Sequence, residues 1–394
     1  MSQNESSPAI PMSHAAEFSA RELAGIIDRG EPLQIMDVRA PEKVAAGRID
    51  LLPDERFHNI RGSQLINIKD AGGTGLEPDL PVAVICGYGM DSKILAGHLG
   101  TIGLEAKSLA GGMAAWMNHT VPRALDPPEG LDRFVQFDRI GKGCLGYLLV
   151  SDGEAMIVDP PLRFDDYVDA LEASGATLVG VADTHVHADY VSGAPAISQR
   201  FGVPYHLHPA DAVYPYDGTP GKVDFHPVAD GDSIELGHTA LQVMHTPGHT
   251  EGSVTYVVEN RLALTGDFLF VESIGRPDLG GKEEEWAGQL WDSMARAIRK
   301  FGDGLAIYPA HYAGESERRM GRAVGIPFGT LLRENEILRI QDPEVFLHHI
   351  LDQKAPFPEA YRKIKALNVG LAPIVESEVD LLEVGRNECA LGGA

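Results

Sequence analysis

The stretch Thr184-His185-Val186-His187-Ala188-Asp189-Tyr190 decides how the larger part of this chain is read. It follows the apolar run Thr177-Leu178-Val179-Gly180-Val181-Ala182, which has the length and β-branched content of a buried strand. His185, His187 and Asp189 therefore leave a strand end at spacing two, where alternate side chains share one face. Buried His and Asp cost free energy unless they are paired or ligated. Two readings follow, a metal site and a polar strand-to-helix turn capped by Asp189. On this stretch alone they are even.

The partners lie downstream. Leu241-Gln242-Val243-Met244 runs into H-T-P-G-H-T at 245–250, a second strand ending in a His-bearing turn made by Pro247 and Gly248. Arg261–Leu264 ends in T-G-D, which puts Asp267 at a third strand end, and Leu305–Tyr308 ends in P-A-H, which puts His311 at a fourth. Coincidence explains one strand end with a ligand-type residue easily and four poorly, so the set points to a metal site. Around it the pattern predicts strands at 134–137, 146–150 and 155–158, a helix over 164–173 and a helix from Tyr190 to Phe201. Cys144, among apolar neighbours, reads as a core residue.

H-x-H-x-D, H-T-P-G-H-T, T-G-D and P-A-H together resemble the metallo-β-lactamase superfamily over about residues 132–350. The resemblance implies an αββα sandwich with its site at one edge of the paired sheets. Many hydrolases of that superfamily hold two metals, and a histidine closing their HxHxDH motif serves the second. Here that position is Tyr190, and a neutral phenol is a poor ligand for a divalent ion at pH 7. This weakens a binuclear site and favours a single ion. His185, His249 and Asp267 then make two imidazoles and a carboxylate, the facial set that suits Fe(II), with Zn able to use the same groups. His187, Asp189, His311 and Tyr190 become the supporting shell, each with an ordinary alternative as a hydrogen-bonded core residue.

I-G-R-P-D-L at 274–279, read with Y-P-A-H at 308–311, resembles the persulfide dioxygenases of the same superfamily. That resemblance implies one Fe(II) per chain, held by His185, His249 and Asp267. It also implies oxidation by O2 of glutathione persulfide, or a related small persulfide, to sulfite. Arg276 matches the family's arginine near the substrate, where a guanidinium suits an anionic thiol or a sulfite oxygen; a surface salt bridge is the competing reading. P-F-G-T-L-L-R-E-N at 327–335 and P-F-P-E-A-Y-R-K-I-K-A-L-N at 356–368 are similar to the C-terminal segments of such proteins. Two competitors remain open: a zinc thioesterase of the glyoxalase II kind, and a persulfide carrier or sensor that uses Cys86 and keeps the metal for structure.

The first part of the chain alternates helix and strand, with a helix from Ser19, strands at 33–39 and 82–85 and a helix from about Ser92 to Ile102. This favours a parallel α/β sheet. Between those strands, 50–75 has no period to assign. Cys86 ends the second strand in C-G-Y-G-M-D-S, so Gly87, Tyr88, Gly89, Met90, Asp91 and Ser92 form a loop ahead of a helix N-terminus. Successive N–H groups and the helix dipole there favour an anion and a thiolate, while a buried structural cysteine is the plainer reading. Asp37-Val38-Arg39, Cys86 with Gly89 and Ser92, and L-A-G-G-M-A-A-W at 109–116 resemble a rhodanese domain over about 15–120. In that family the cysteine carries a persulfide sulfur, and the loop usually has an arginine where Asp91 stands. The carboxylate repels thiosulfate or sulfite, so sulfurtransferase turnover is in question.

With 33 Lys plus Arg against 57 Asp plus Glu, the net charge is −24, which argues against nucleic acid or an anionic membrane as partner. The three cysteines are too few for a disulfide framework, and neither a signal peptide nor a membrane-length apolar run is apparent. A cytoplasmic protein is expected, with room for a homo-oligomer. The expected division is a disordered tail at 1–14, a rhodanese-like domain at 15–119, a Pro-rich linker at 120–131, a metallo-β-lactamase-like domain at 132–375 and a loose acidic tail at 376–394.

Overall fold

A computed structural model of the chain describes residues 16–320, 322–353 and 357–391. The expected tail at 1–14 and the last three residues lie outside them. The chain divides after His119 into two compact units. No helix among the described residues is long and apolar enough to cross a membrane.

The first unit is an all-parallel sheet of five strands in the order Glu17–Phe18, Ala106–Leu109, Val82–Ile85, Gln34–Asp37, Phe57–Asn59. Its central strands are buried along their whole length, as a sheet covered on both faces requires. Ser19 caps the helix Ala20–Asp28 through a reciprocal bond with Glu22. Within 50–75, the edge strand Phe57–Asn59 is followed by a single helical turn, Gly62–Leu65, and a 3-10 turn, Ala71–Thr74. Such short elements leave no period to read.

The second unit stacks two sheets. One has seven strands, in the order His226–Pro227, Tyr205–Leu207, Thr177–Ala182, Glu154–Val158, Cys144–Ser151, Arg133–Arg139, Thr120–Leu125. The other has six: Ser233–Leu236, Thr239–His245, Val254–Val258, Leu262–Gly266, Ala306–Pro309, Ile326–Pro327. Phe134, Tyr147 and Met156 of the first sheet share a core with Val243, Tyr256, Leu264 and Ile307 of the second. Outside the first sheet lie the helices Asp165–Ser174 and Ala194–Phe201, which contribute Tyr167, Leu171 and Ile197 to a separate cluster. Glu283–Lys300 covers the second sheet with Ala287, Leu290, Met294 and Ala297. This is the expected αββα sandwich.

Three expectations are corrected. The proposed linker is in large part a strand: Thr120–Leu125 pairs antiparallel with Arg133–Arg139 in unbroken register. It is the edge of its sheet, where the N–H that Pro122 lacks is not needed by a neighbour. The acidic C-terminal segment is not loose either. It forms the helix Glu376–Leu382, and Glu383 makes a buried ion pair with Arg139 at 2.6 Å, while Arg163 binds Glu376 and Asp380. Its negative charge is spent on arginines. Finally, the helix expected from Tyr190 begins at Ala194, so Asp189 caps nothing and sits in a loop.

Breaking a buried pair by removing one partner costs about 3–5 kcal/mol. Glu383→Gln should therefore lower the urea midpoint of the second unit's transition, and the double change Arg139→Met with Glu383→Leu should restore much of it. An unchanged midpoint in the single variant would show that the pair holds nothing together.

Candidate functional site

Four strand ends deliver the groups read from the sequence. Thr177–Ala182 leads to His185, Thr239–His245 to His249, Leu262–Gly266 to Asp267 and Ala306–Pro309 to His311. All four side chains are fully buried. His185 Nε2 and His249 Nε2 stand 3.5 and 3.3 Å from Asp267 Oδ2. None of these three atoms has a hydrogen-bond partner among the described residues. Buried polar atoms are nearly always satisfied, so three orphans aimed at one point are what a metal ion would complete. The ligand types fit it.

The other nitrogen of each imidazole is held from behind. His249 Nδ1 donates to the Arg276 carbonyl at 3.0 Å. Thr184 Oγ1 gives its proton to Asp159, so it accepts from His185 Nδ1 at 3.0 Å. Both bonds fix the tautomer that turns an Nε2 lone pair inward. Burial keeps the rings neutral, lowering His185 well below the usual histidine range and His249 to about 4. Burial works the other way on Asp267, but His311, His185 and His249 outweigh it and hold the carboxylate well below its ordinary range. His311 is driven down by burial and raised far more by Asp189 and Asp267. It stands between two carboxylates, with Nδ1 at 2.5 Å from Asp267 Oδ1 and Nε2 at 3.1 Å from Asp189 Oδ2.

His187 and Tyr190 belong to a neighbouring network. His187 Nε2 faces Asp159 Oδ1 at 3.2 Å and the Tyr190 hydroxyl at 2.9 Å, and the two rings stack 4.2 Å apart. His187 is thus engaged through Nε2, while its Nδ1 is a further buried atom without a partner among the described residues. Arg276 makes an ion pair, but a buried one rather than one at the surface. Its guanidinium is buried and forks onto Asp278 at 2.9 and 2.7 Å, and only its main-chain carbonyl reaches the His249 ring.

Several supports were not singled out from sequence. Asp159, at a left-handed φ of 52°, accepts from the Thr184 N–H and faces His187. Asp211 accepts from Val186 N, Thr250 Oγ1 and Gly252 N, and so ties the His185 loop to the His249 loop. The Asn368 side chain donates to the carbonyls of His187 and Tyr190. Asp159 also stands at a strand end, which is the one sequence signal these residues offered. Gly275 was quoted within I-G-R-P-D-L but given no role; a Cβ there would lie 1.9 Å from the Asp267 carbonyl oxygen and 3.0 Å from His249 Cβ.

In the first unit, Cys86 is buried, and its sulfur accepts from Gly89 N at 3.0 Å and Ser92 Oγ at 3.2 Å. Gly89 takes φ 89°, and Ser92 is braced by Ser108 Oγ at 2.8 Å. Gly87 to Ser92 thus form the expected turn into the helix Met90–Thr101, with Tyr88 and Met90 exposed and Asp91 on its first turn.

Residues 140–329 match the family model for the Metallo-beta-lactamase superfamily, and residues 19–119 the one for the Rhodanese-like domain. The chain joins a rhodanese-like domain to a metallo-β-lactamase domain. Its second domain is similar to persulfide dioxygenase ETHE1 of Bos taurus, 29% identical over 215 residues, 52% of this chain and 80% of that protein. The crystal structure of ETHE1 from Myxococcus xanthus superposes with a TM-score of 0.50 at 25% identity, covering 64% of this chain and 99% of that one. The hydroxyacylglutathione hydrolase of Francisella philomiragia is 31% identical over 167 residues, 42% of this chain and 61% of that protein. The chain spans about three fifths of the length of several curated relatives it matches.

The metallo-β-lactamase domain gives a direct test of the site's shape. Gly275→Ala must push the Asp267 main chain or the His249 ring aside. Metal affinity, read by competition with a chromophoric chelator, should fall about 10- to 100-fold, as for loss of an outer support. Unchanged affinity would mean that the backbone yields there without cost.

Proposed function

We propose that the metallo-β-lactamase domain is a persulfide dioxygenase, with one Fe(II) held by His185, His249 and Asp267. Glutathione persulfide or a related small persulfide is the substrate. The observation that carries this reading is the triad of orphaned donors, two neutral imidazoles and one carboxylate, with Tyr190 at the position that a second metal would need. Similarity to the two ETHE1 proteins supports it. Fe(II) held by these residues would supply the redox chemistry that activates O2 towards the sulfur.

The stoichiometry balances. One persulfide, one O2 and one water give one thiol, one sulfite and two protons. The outer sulfur gives up four electrons and O2 takes them. The residues' own part is orientation and charge. His311 pins one oxygen of Asp267 and leaves the other facing the two histidines. Asp159 and Asp211 hold the two histidine loops in register. With every surrounding group buried, water is kept from the reacting sulfur except along the substrate's path.

In the rhodanese-like domain, Cys86 would hold sulfane sulfur as a persulfide, with Gly89 N–H and Ser92 Oγ steadying the charge. The second reading, a zinc thioesterase, is favoured by the hydroxyacylglutathione hydrolase relative. It calls for a second metal, and Tyr190 is no ligand for one.

Oxygen uptake with glutathione persulfide should be lost in His249→Ala and Asp267→Ala, by at least about 10²-fold; uptake that persists in either variant removes the proposed site. Hydrolysis of S-lactoylglutathione without oxygen uptake would instead select the thioesterase. Separately, intact-mass spectra after exposure to a persulfide should show one added sulfur on Cys86. The adduct should be absent in Cys86→Ser, and an unmodified Cys86 would end the carrier role.

A further inference from the structure

A groove of about 670 Å³ lies between the helix Glu283–Lys300 and the segment 332–341, and none of the groups that build the metal-type site lines it. Its floor is apolar. Trp291, Met294, Leu332, Leu338 and Ile340 form it, and all five belong to or pack against the core between the two sheets. Ile298, on the same helix, turns outward into the groove and is 45% exposed. The volume falls in the range of a small-molecule site.

The charges around this floor are of one sign. Arg299 and Arg339 line the groove and are exposed, and neither guanidinium makes a hydrogen bond or ion pair with any described residue. None of the described lining residues is acidic. On a chain of net charge −24 this is a departure. Arginines nearby are spent on carboxylates: Arg296, one turn back on the helix, pairs with Asp230 at 3.2 Å, and Arg319 with Glu272 at 3.0 Å. Asp342, next to the groove in sequence, accepts from Glu344 N and Val345 N and so caps its own helix. The last turn of a helix favours a cation, which suits Arg299, but it accounts neither for Arg339 nor for the apolar floor beside both.

We propose that this groove binds a fatty acid of medium chain length, with the alkyl chain on Trp291, Ile298, Leu332 and Ile340 and the carboxylate on Arg299 and Arg339. An apolar floor answers the chain, and two unspent guanidiniums answer the head, since the planar fork of arginine matches a carboxylate in two parallel bonds. The volume fits such a ligand better than a folded segment of another protein. The site stands apart from the sulfur chemistry and does not rest on the dioxygenase reading.

The test is calorimetric titration of the full chain with decanoate, octanoate and decan-1-ol, each below the concentration at which it self-associates. Decanoate should bind about tenfold tighter than decan-1-ol, the scale of a charge-assisted bond, and about tenfold tighter than octanoate, which has two methylenes fewer to bury. The double change Arg299→Gln with Arg339→Gln should bring decanoate down to the level of the alcohol and leave the alcohol unchanged. Ile298→Asp, at an exposed position that folding does not depend on, should weaken both. If the alcohol binds the wild type as tightly as decanoate, or if the double variant keeps the preference, the arginines do not hold a carboxylate and the proposal is overturned. Absence of binding, or affinity that ignores chain length, overturns it as well. So does sedimentation equilibrium showing a dimer that Ile298→Asp dissociates, because the groove would then be filled by a second copy of the chain.

Discussion

Asp267 is a buried carboxylate, and His311 makes that burial tolerable. An isolated buried ion costs several kcal/mol. Here His311 lies 2.5 Å from one Asp267 oxygen, and Asp189 faces its other side at 3.1 Å. Asp189 comes from the loop after a strand of the seven-stranded sheet, while Asp267 and His311 follow strands of the six-stranded one. The charge triad therefore clasps the two sheets at the edge where they meet, helped by the bond from Leu145 N to the Ala310 carbonyl. Architecture and electrostatics are one device here.

Around that clasp, single polar side chains each bind two or three backbone groups from different loops. Asp159, Asp211 and Asn368 do this for the His185 loop, and the Arg276 carbonyl does it for His249. The result is pre-organisation without regular secondary structure. A loop of this kind would otherwise lose about 1–2 kcal/mol per residue in backbone entropy when it is ordered, and these bonds offset part of that.

The sequence disclosed the strands and the groups at their ends, because a buried strand and a turn are local patterns. His185, His249, Asp267 and His311 were legible for that reason. Asp211 and Asn368 were not, since their partners lie 25 to 181 residues away and no local pattern marks them. Prolines misled at 120–131, where the edge position of Thr120–Leu125 removes the penalty that proline carries inside a sheet. Acidity misled at 376–391, where the opposing arginines, Arg139 and Arg163, stand more than two hundred residues earlier. Arg276 was read for its guanidinium, which binds Asp278, whereas its main-chain carbonyl is what meets the His249 ring.

The stitch between the Arg276 strap and the Glu388–Leu391 segment sets an order of events. Arg276 N bonds to the Cys389 carbonyl and Leu391 N to the Ile274 carbonyl, and the Arg276 side chain reaches Glu388 across 112 residues of chain. During synthesis the His249 loop is therefore made long before the residues that lock the strap carrying its carbonyl partner. Until those residues leave the ribosome, the nascent site has its ligands but not its fastening. A change in that segment would therefore loosen an ion held by loops that lie far from it in sequence.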